Sequence, residues 1–185
     1  MAAPAPVDSN AGLIIGAGGV RQLHRSLTQH APDVAIPVLQ ESGFASGEGL
    51  YQALCTWLVS HAGVQRPDEL DAAQFGDALS DFFAASGWGR LTIAPIGGAA
   101  LALDSTDWAE ADPATAQIPM CFFSSGMLAD LLGRVSGEPV AVMEVECRSR
   151  GDGRCRFLSA SPATLQEVYE KMTTGMTYAE ALGAG

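Results

Sequence analysis

The spacing of hydrophobic positions changes from helical to alternating and back along the chain, and those changes divide it into elements. Leu13, Val20, Leu23 and Leu27 recur at roughly helical intervals and predict a helix over Gly16–His30, with His24 and His30 on its solvent side. Pro32 and Asp33 open a second helix through Gln40, with Pro37 expected to kink it or to sit in its first turns, and Gly43 to end it. A third helix over Gly47–His61 places Leu50, Leu54, Trp57 and Leu58 on one face and stops at Gly63. A fourth, Asp71–Ser86, carries the apolar stripe Phe75, Leu79, Phe82 and Phe83.

The pattern then turns to strands at Gly89–Ala94 and Ala99–Asp104, joined by the turn Pro95-Ile96-Gly97-Gly98. Asp104–Gln117 reads as a polar loop. A long helix over Pro119–Ser136 begins near Cys121 and offers Phe122, Met127, Leu128, Leu131 and Leu132 to the core; Gly126 permits another backbone to come close, and Gly137 ends it. Val142–Cys147 alternates again. Gly151-Asp152-Gly153 is expected to turn the chain back into a short strand, Arg154–Leu158. Ser161-Pro162 starts a helix to Thr173, and Thr177–Leu182 makes a short terminal one. This order implies an α+β fold with one antiparallel sheet covered by helices.

Length and composition narrow the class. The 185 residues suffice for one core, and 48% hydrophobic with 17% charged residues describes a globular chain. The reading is a disordered tail over residues 1–11 and a single domain over 12–185. No apolar run reaches the roughly 20 residues of a membrane span, and Met1–Pro6 lacks the charge and apolar core of a signal peptide. A formal charge of −11 argues against unaided binding of nucleic acid. Arg148, Arg150, Arg154 and Arg156 form the one basic cluster, expected on a solvated face. The glycines between Gly12 and Gly19 are not a dinucleotide loop, because Arg21 stands where the third glycine belongs.

The chemistry concentrates in Val142–Phe157. Cys147 and Cys155 flank the glycine turn, Glu144 lies three residues before Cys147, and Cys121 is available upstream. If the strand bends or bulges, three thiolates and one carboxylate converge into a set that suits tetrahedral zinc. A cross-strand disulfide or two buried thiols fit the same spacing. Cys55, beside the third helix's apolar face, reads as a structural thiol. Four cysteines without an export signal fit a reducing cytoplasm.

Glu144-x-x-Cys147, Gly151-Asp152, Cys155 and Phe157, with Cys121 upstream, resemble the 4-vinyl reductase domain family, and Gly89–Ile93 adds to the likeness. The resemblance runs from about Phe75 to the end of the chain and more weakly through the first third. It implies zinc held by Cys121, Glu144, Cys147 and Cys155, as in the effector-sensing domains of bacterial phenol-responsive regulators. It also implies the fold of haem–nitric-oxide-binding proteins and Golgi transport particle subunits, whose members commonly form dimers and hold an apolar ligand between sheet and helices. The first helix is a candidate homodimer surface.

The expected function is a stand-alone module that senses or carries a small hydrophobic or aromatic molecule, with Trp88, Trp108, Met120, Phe122 and Phe123 as ligand contacts. Four protein ligands would make the zinc structural rather than catalytic. An enzyme or accessory factor of tetrapyrrole metabolism and a ligand-free scaffolding subunit are the alternatives. The sequence offers no nucleophile–base pair, which leans away from an enzyme.

Overall fold

The structure is a computed structural model that describes residues 16–113 and 116–184. The tail expected at residues 1–11 lies outside the described residues. Helix α1 is Ala17–His30, α2 Pro32–His61, α3 Ala72–Ala85, α4 Phe122–Ser136, α5 Pro162–Thr173 and α6 Tyr178–Ala181. The strands are β1 Thr92–Ile96, β2 Ala100–Ser105, β3 Ala141–Glu146 and β4 Cys155–Ala160. They form one antiparallel sheet in the order β1-β2-β4-β3.

Most helix ends follow their local signals. Asp71 caps α3 by accepting from Gln74 N at 2.8 Å, and Ser161 caps α5 ahead of Pro162. Thr177 and Glu180 form a capping box that lets the short α6 exist.

The exception is α2, one helix of 30 residues where the sequence predicts two. Pro37 lies inside it and removes a single backbone hydrogen bond. Gly43 and Gly47, expected as a stop and a start, are instead buried where α4 crosses. A Cβ at Gly43 would overlap the Phe123 carbonyl, and one at Gly47 would overlap the Asp130 side chain. Gly126 of α4 answers them, because a Cβ there would run into the Gln40 carbonyl. A helix stop and a close helix contact call for the same residue, and tertiary packing decided between them. The α2–α4 contact is the most extensive in the fold.

The strands start later than their sequence pattern suggests. Gly89 takes φ +110° and Asp107 accepts the Arg90 N–H, so the segment before Thr92 serves a turn. Pro95 falls in β1, an edge strand that tolerates a missing donor. Alternation along β4 then splits the core. Cys155 and Phe157 face a cluster built by Leu54, Leu58, Leu79, Phe83, Met127, Leu128 and Leu131. Leu158 faces a smaller one with Ala102, Val145, Leu165, Val168 and Ala181. The sheet is thus packed by α2, α3 and α4 on one face and by α5 and α6 on the other.

Candidate metal centre

Side chains along a regular strand alternate faces, so residues three apart point to opposite sides. Glu144 and Cys147 escape that rule. The register of β3 against β4 runs Val142↔Ser159, Met143↔Leu158 and Glu144↔Phe157, then skips to Glu146↔Arg156. Val145 is the extra residue of a β-bulge. Its side chain joins the smaller core, Glu146 stays on that same side against Arg154, and Cys147 returns to the side of Glu144.

The link to β4 is longer than the tight turn expected at Gly151–Gly153. Cys147 leads into a single 3-10 turn, Arg148–Arg150, and Gly151 reverses the chain at φ +100°. Asp152 Oδ2 accepts the Cys147 N–H at 2.7 Å, while the Cys147 carbonyl accepts from Arg150 N and Asp152 N. Cys155 then opens β4. Cys121 comes from the other side as the residue before α4, and its N–H donates to Glu144 Oε2 at 2.9 Å.

The four residues converge. Their ligand atoms all lie within 4.8 Å of one another, and the three thiols are fully buried. Cys121 Sγ stands 3.9 Å from both Cys147 Sγ and Cys155 Sγ. A disulfide requires about 2.05 Å, and all four cysteines are free. Sulfurs about 2.3 Å from a tetrahedral zinc sit roughly 3.8 Å apart, so the spacing matches an ion's coordination edge. Glu144 Oε1 is buried without a hydrogen-bond partner, an acceptor left for a cation. The chemistry and geometry of this donor set fit a metal ion.

Electrostatics says the same. Burial first, then the charge on Cys147, pushes the Glu144 carboxyl up to about 8. Hydrogen bonds from Cys121 and Cys155 hold the Cys147 thiol far below its ordinary range, and the bonds to Cys147 and Cys155 raise Cys121 well above it. One thiolate is what the protein alone supports in this pocket. A divalent cation would make room for the remaining negative charge.

Several polar residues that looked solvent-facing are structural. The loop over Asp104–Gln117 is partly core, with Trp108, Glu110 and Ala111 buried. Glu110 accepts the Phe123 and Ser124 N–H groups and caps the free end of α4 from outside the helix. His24 is 6% exposed, so the solvent-side placement is corrected. Its Nε2 lies 2.6 Å from Glu110 Oε1, an ion-pair distance that lacks hydrogen-bond alignment. Arg21 donates to the Ala109 carbonyl at 3.3 Å and Arg25 pairs with Asp112, so one face of α1 grips this loop. The arginine cluster is equally engaged: Arg156 forks onto Asp104, Arg154 onto Glu146, and Arg150 onto Asp152. No local pattern marked Glu110, Arg150 or Asp152 for these tasks, since each partner is set by the tertiary fold or by the loop's own turn.

Of the predicted ligand contacts, Trp88, Trp108 and Phe123 meet. Trp88 stacks on Phe123 with centroids 6.1 Å apart and lies 5.6 Å from the Trp108 ring. Trp108 also packs on Phe83 and Phe157 and donates Nε1–H to Ser124 Oγ at 2.7 Å. Met120 borders a cavity of about 330 Å³ between α1 and the 109–120 loop, whose lining includes Arg21, His24 and Ser149 but none of the four aromatics. Phe122, half-buried, is in neither group.

Comparison with known proteins places the segment that carries this cluster. Residues 109–159 match the 4-vinyl reductase domain. That span contains all four cluster residues and the bulge. No curated protein matches the sequence significantly. Among solved structures, the phenol-responsive sensory domain of the transcription activator PoxR, determined with phenol, superposes with a TM-score of 0.59 at 16% identity over 81% of this chain and 76% of that one. A vinyl-4-reductase family protein from Methanocaldococcus jannaschii gives a TM-score of 0.44 at 20% identity, covering 65% of this chain and 66% of that chain. The expected fold, an antiparallel sheet covered by helices as in the sensory domain, is the one observed. No described helix is long and apolar enough to cross a membrane.

Proposed function

We propose that the chain is a small-molecule-binding module whose 4-vinyl reductase segment is stabilised by a structural zinc ion on Cys121, Glu144, Cys147 and Cys155, and that it senses or carries a hydrophobic, aromatic ligand. The observation that supports this most is the cluster itself, four buried donor atoms at zinc-like spacing on a fold shared with a sensory domain. Four protein donors fill a tetrahedral shell and leave no position for a reactive water, so the ion would tie α4 to the β3–β4 loop rather than perform chemistry. The binding region is assigned to the margin of the larger core, where the half-buried Trp88–Phe123 stack and Met120 lie. A stacked pair of rings and a thioether suit an apolar ring. Trp108 and Phe122 flank this margin in sequence and complete the proposed contact set.

The test is calorimetry on zinc-loaded protein with phenol and a panel of alkylphenols, in wild type and Trp88→Ala. Saturable binding in wild type, weakened in the variant with metal content unchanged, supports the module. No heat from any member of the panel at millimolar concentration removes the aromatic reading.

A further inference from the structure

The loop that carries the metal ligands has a neck, and the neck is clamped from the opposite face of the sheet. Glu146 is the residue before Cys147 and Arg154 the residue before Cys155. Arg154 donates Nε–H and an Nη–H to the two Glu146 oxygens at 2.8 and 3.1 Å. Tyr178, the first residue of α6, donates its hydroxyl to Glu146 Oε1 as well. Arg156 holds Tyr178 in turn, donating to its hydroxyl at 2.8 Å with the guanidinium carbon 5.7 Å from the ring centre. Asp104 on β2 binds both arginines, accepting Arg156 at 2.6–2.7 Å and lying 3.1 Å from Arg154.

This network exists because of the bulge. An unbulged β3 would send Glu146 to the face of Glu144, and Cys147 to the face that α5 and α6 cover. Fixing Glu146 on the α6 side therefore fixes the position of the extra residue, and with it the inward direction of both Glu144 and Cys147. The backbone is held too, because Arg150 donates to the Val145 carbonyl at 2.9 Å and pairs with Asp152, whose Oδ2 takes the Cys147 N–H.

We propose that Glu146, Arg154 and Tyr178 are positioning residues of the metal centre: they contact none of its donor atoms but set the geometry in which Glu144, Cys147 and Cys155 bind. This rests on the metal reading above. It assigns the C-terminal helix α6 a part in metal affinity from across the sheet. Partners that orient metal ligands are commonly worth 10–100-fold in affinity.

Cobalt(II) is the probe, since its visible bands report tetrahedral sulfur-rich coordination. Wild type, Glu146→Gln, Tyr178→Phe and, as a control, Leu165→Ala are titrated with cobalt and then competed with zinc against a chromophoric chelator. Leu165 belongs to the same small core as α5 and α6 but touches no member of the clamp by hydrogen bond. The expected result is roughly tenfold or greater loss of cobalt and zinc affinity in the first two variants, with weakened visible bands. Leu165→Ala should lose thermal stability while keeping the wild-type spectrum. Wild-type affinity and spectrum in both clamp variants would overturn the proposal while leaving the metal centre standing. Equal spectral damage in Leu165→Ala would overturn it as well, by reducing the effect to general loosening. A wild-type chain without tetrahedral bands overturns the metal centre and the clamp with it. Tyr178→Phe removes one hydroxyl, which keeps the test decisive if Glu146→Gln folds poorly.

Discussion

The backbone N–H of Cys121 donates to Glu144 Oε2 over 2.9 Å, joining the first turn of α4 to β3 through one oxygen of a carboxylate whose other oxygen is buried and unpartnered. A single side chain thus fastens two elements and still presents a donor. Protein isolated without chelator should carry one zinc per chain by elemental analysis, with four free thiols on denaturation. Removing the metal should lower the melting temperature by on the order of 10 °C, because ion binding is coupled to folding. Cys147→Ala should show that lower value with or without zinc. Identical melting of wild type before and after chelation would exclude a structural ion.

Zinc uptake should release protons. Glu144 sits near 8 and Cys121 is raised well above its ordinary range, so both enter the metal-free site protonated at neutral pH. An ion binds the deprotonated forms. Affinity should therefore fall as pH drops from about 8 toward 6, and calorimetry in buffers of different ionisation heat should show net proton release. Uptake without proton exchange would mean that the site is already ionised.

The glycines of the helix crossing should separate cleanly by neighbour. Gly126→Ala places a methyl against the Gln40 carbonyl and should cost about 1–3 kcal/mol or more. Gly49→Ala, in the same long helix but with open space at its Cβ, should gain up to about 1 kcal/mol from helix propensity. Thermal denaturation of the two single variants checks both signs.

Glu110→Ala strips the cap from α4 and leaves the Phe123 and Ser124 N–H groups without their acceptor. Each unpaired buried group costs about 1–3 kcal/mol. A loss within that range is expected by urea denaturation, accompanied by looser docking of α1, whose His24 faces the same carboxylate. Resistance of α1 to proteolysis in the variant would argue that Arg21 and Arg25 hold it alone.

Much of this was legible beforehand where one residue serves one purpose. Ser161-Pro162, Asp71 and Thr177 start their helices as their chemistry dictates, and the four metal-site residues were identifiable as a set because their spacing has few other uses. The misreadings fall where one residue type answers two demands. Gly43 and Gly47 resemble helix stops and are contact surfaces. Glu110 and the arginines resemble a solvated exterior and are partners to groups 13 to 52 positions away. Periodicity reports which face a residue occupies, not who waits there. Even the bulge was only a condition in the sequence: the three-residue step from Glu144 to Cys147 demands one, but whether β3 supplies it depends on its pairing with β4.

The bulge at Val145 also bears on how the chain behaves in company. In the order β1-β2-β4-β3, β3 is an outermost strand, and a straight outermost strand presents an open row of donors and acceptors to any extended segment nearby. Here the extra residue breaks that row, and Arg150 occupies the Val145 carbonyl. Pro95 interrupts the opposite margin in β1. Both margins are poor templates for strand addition, so a deletion of Val145 would threaten solubility as much as metal binding.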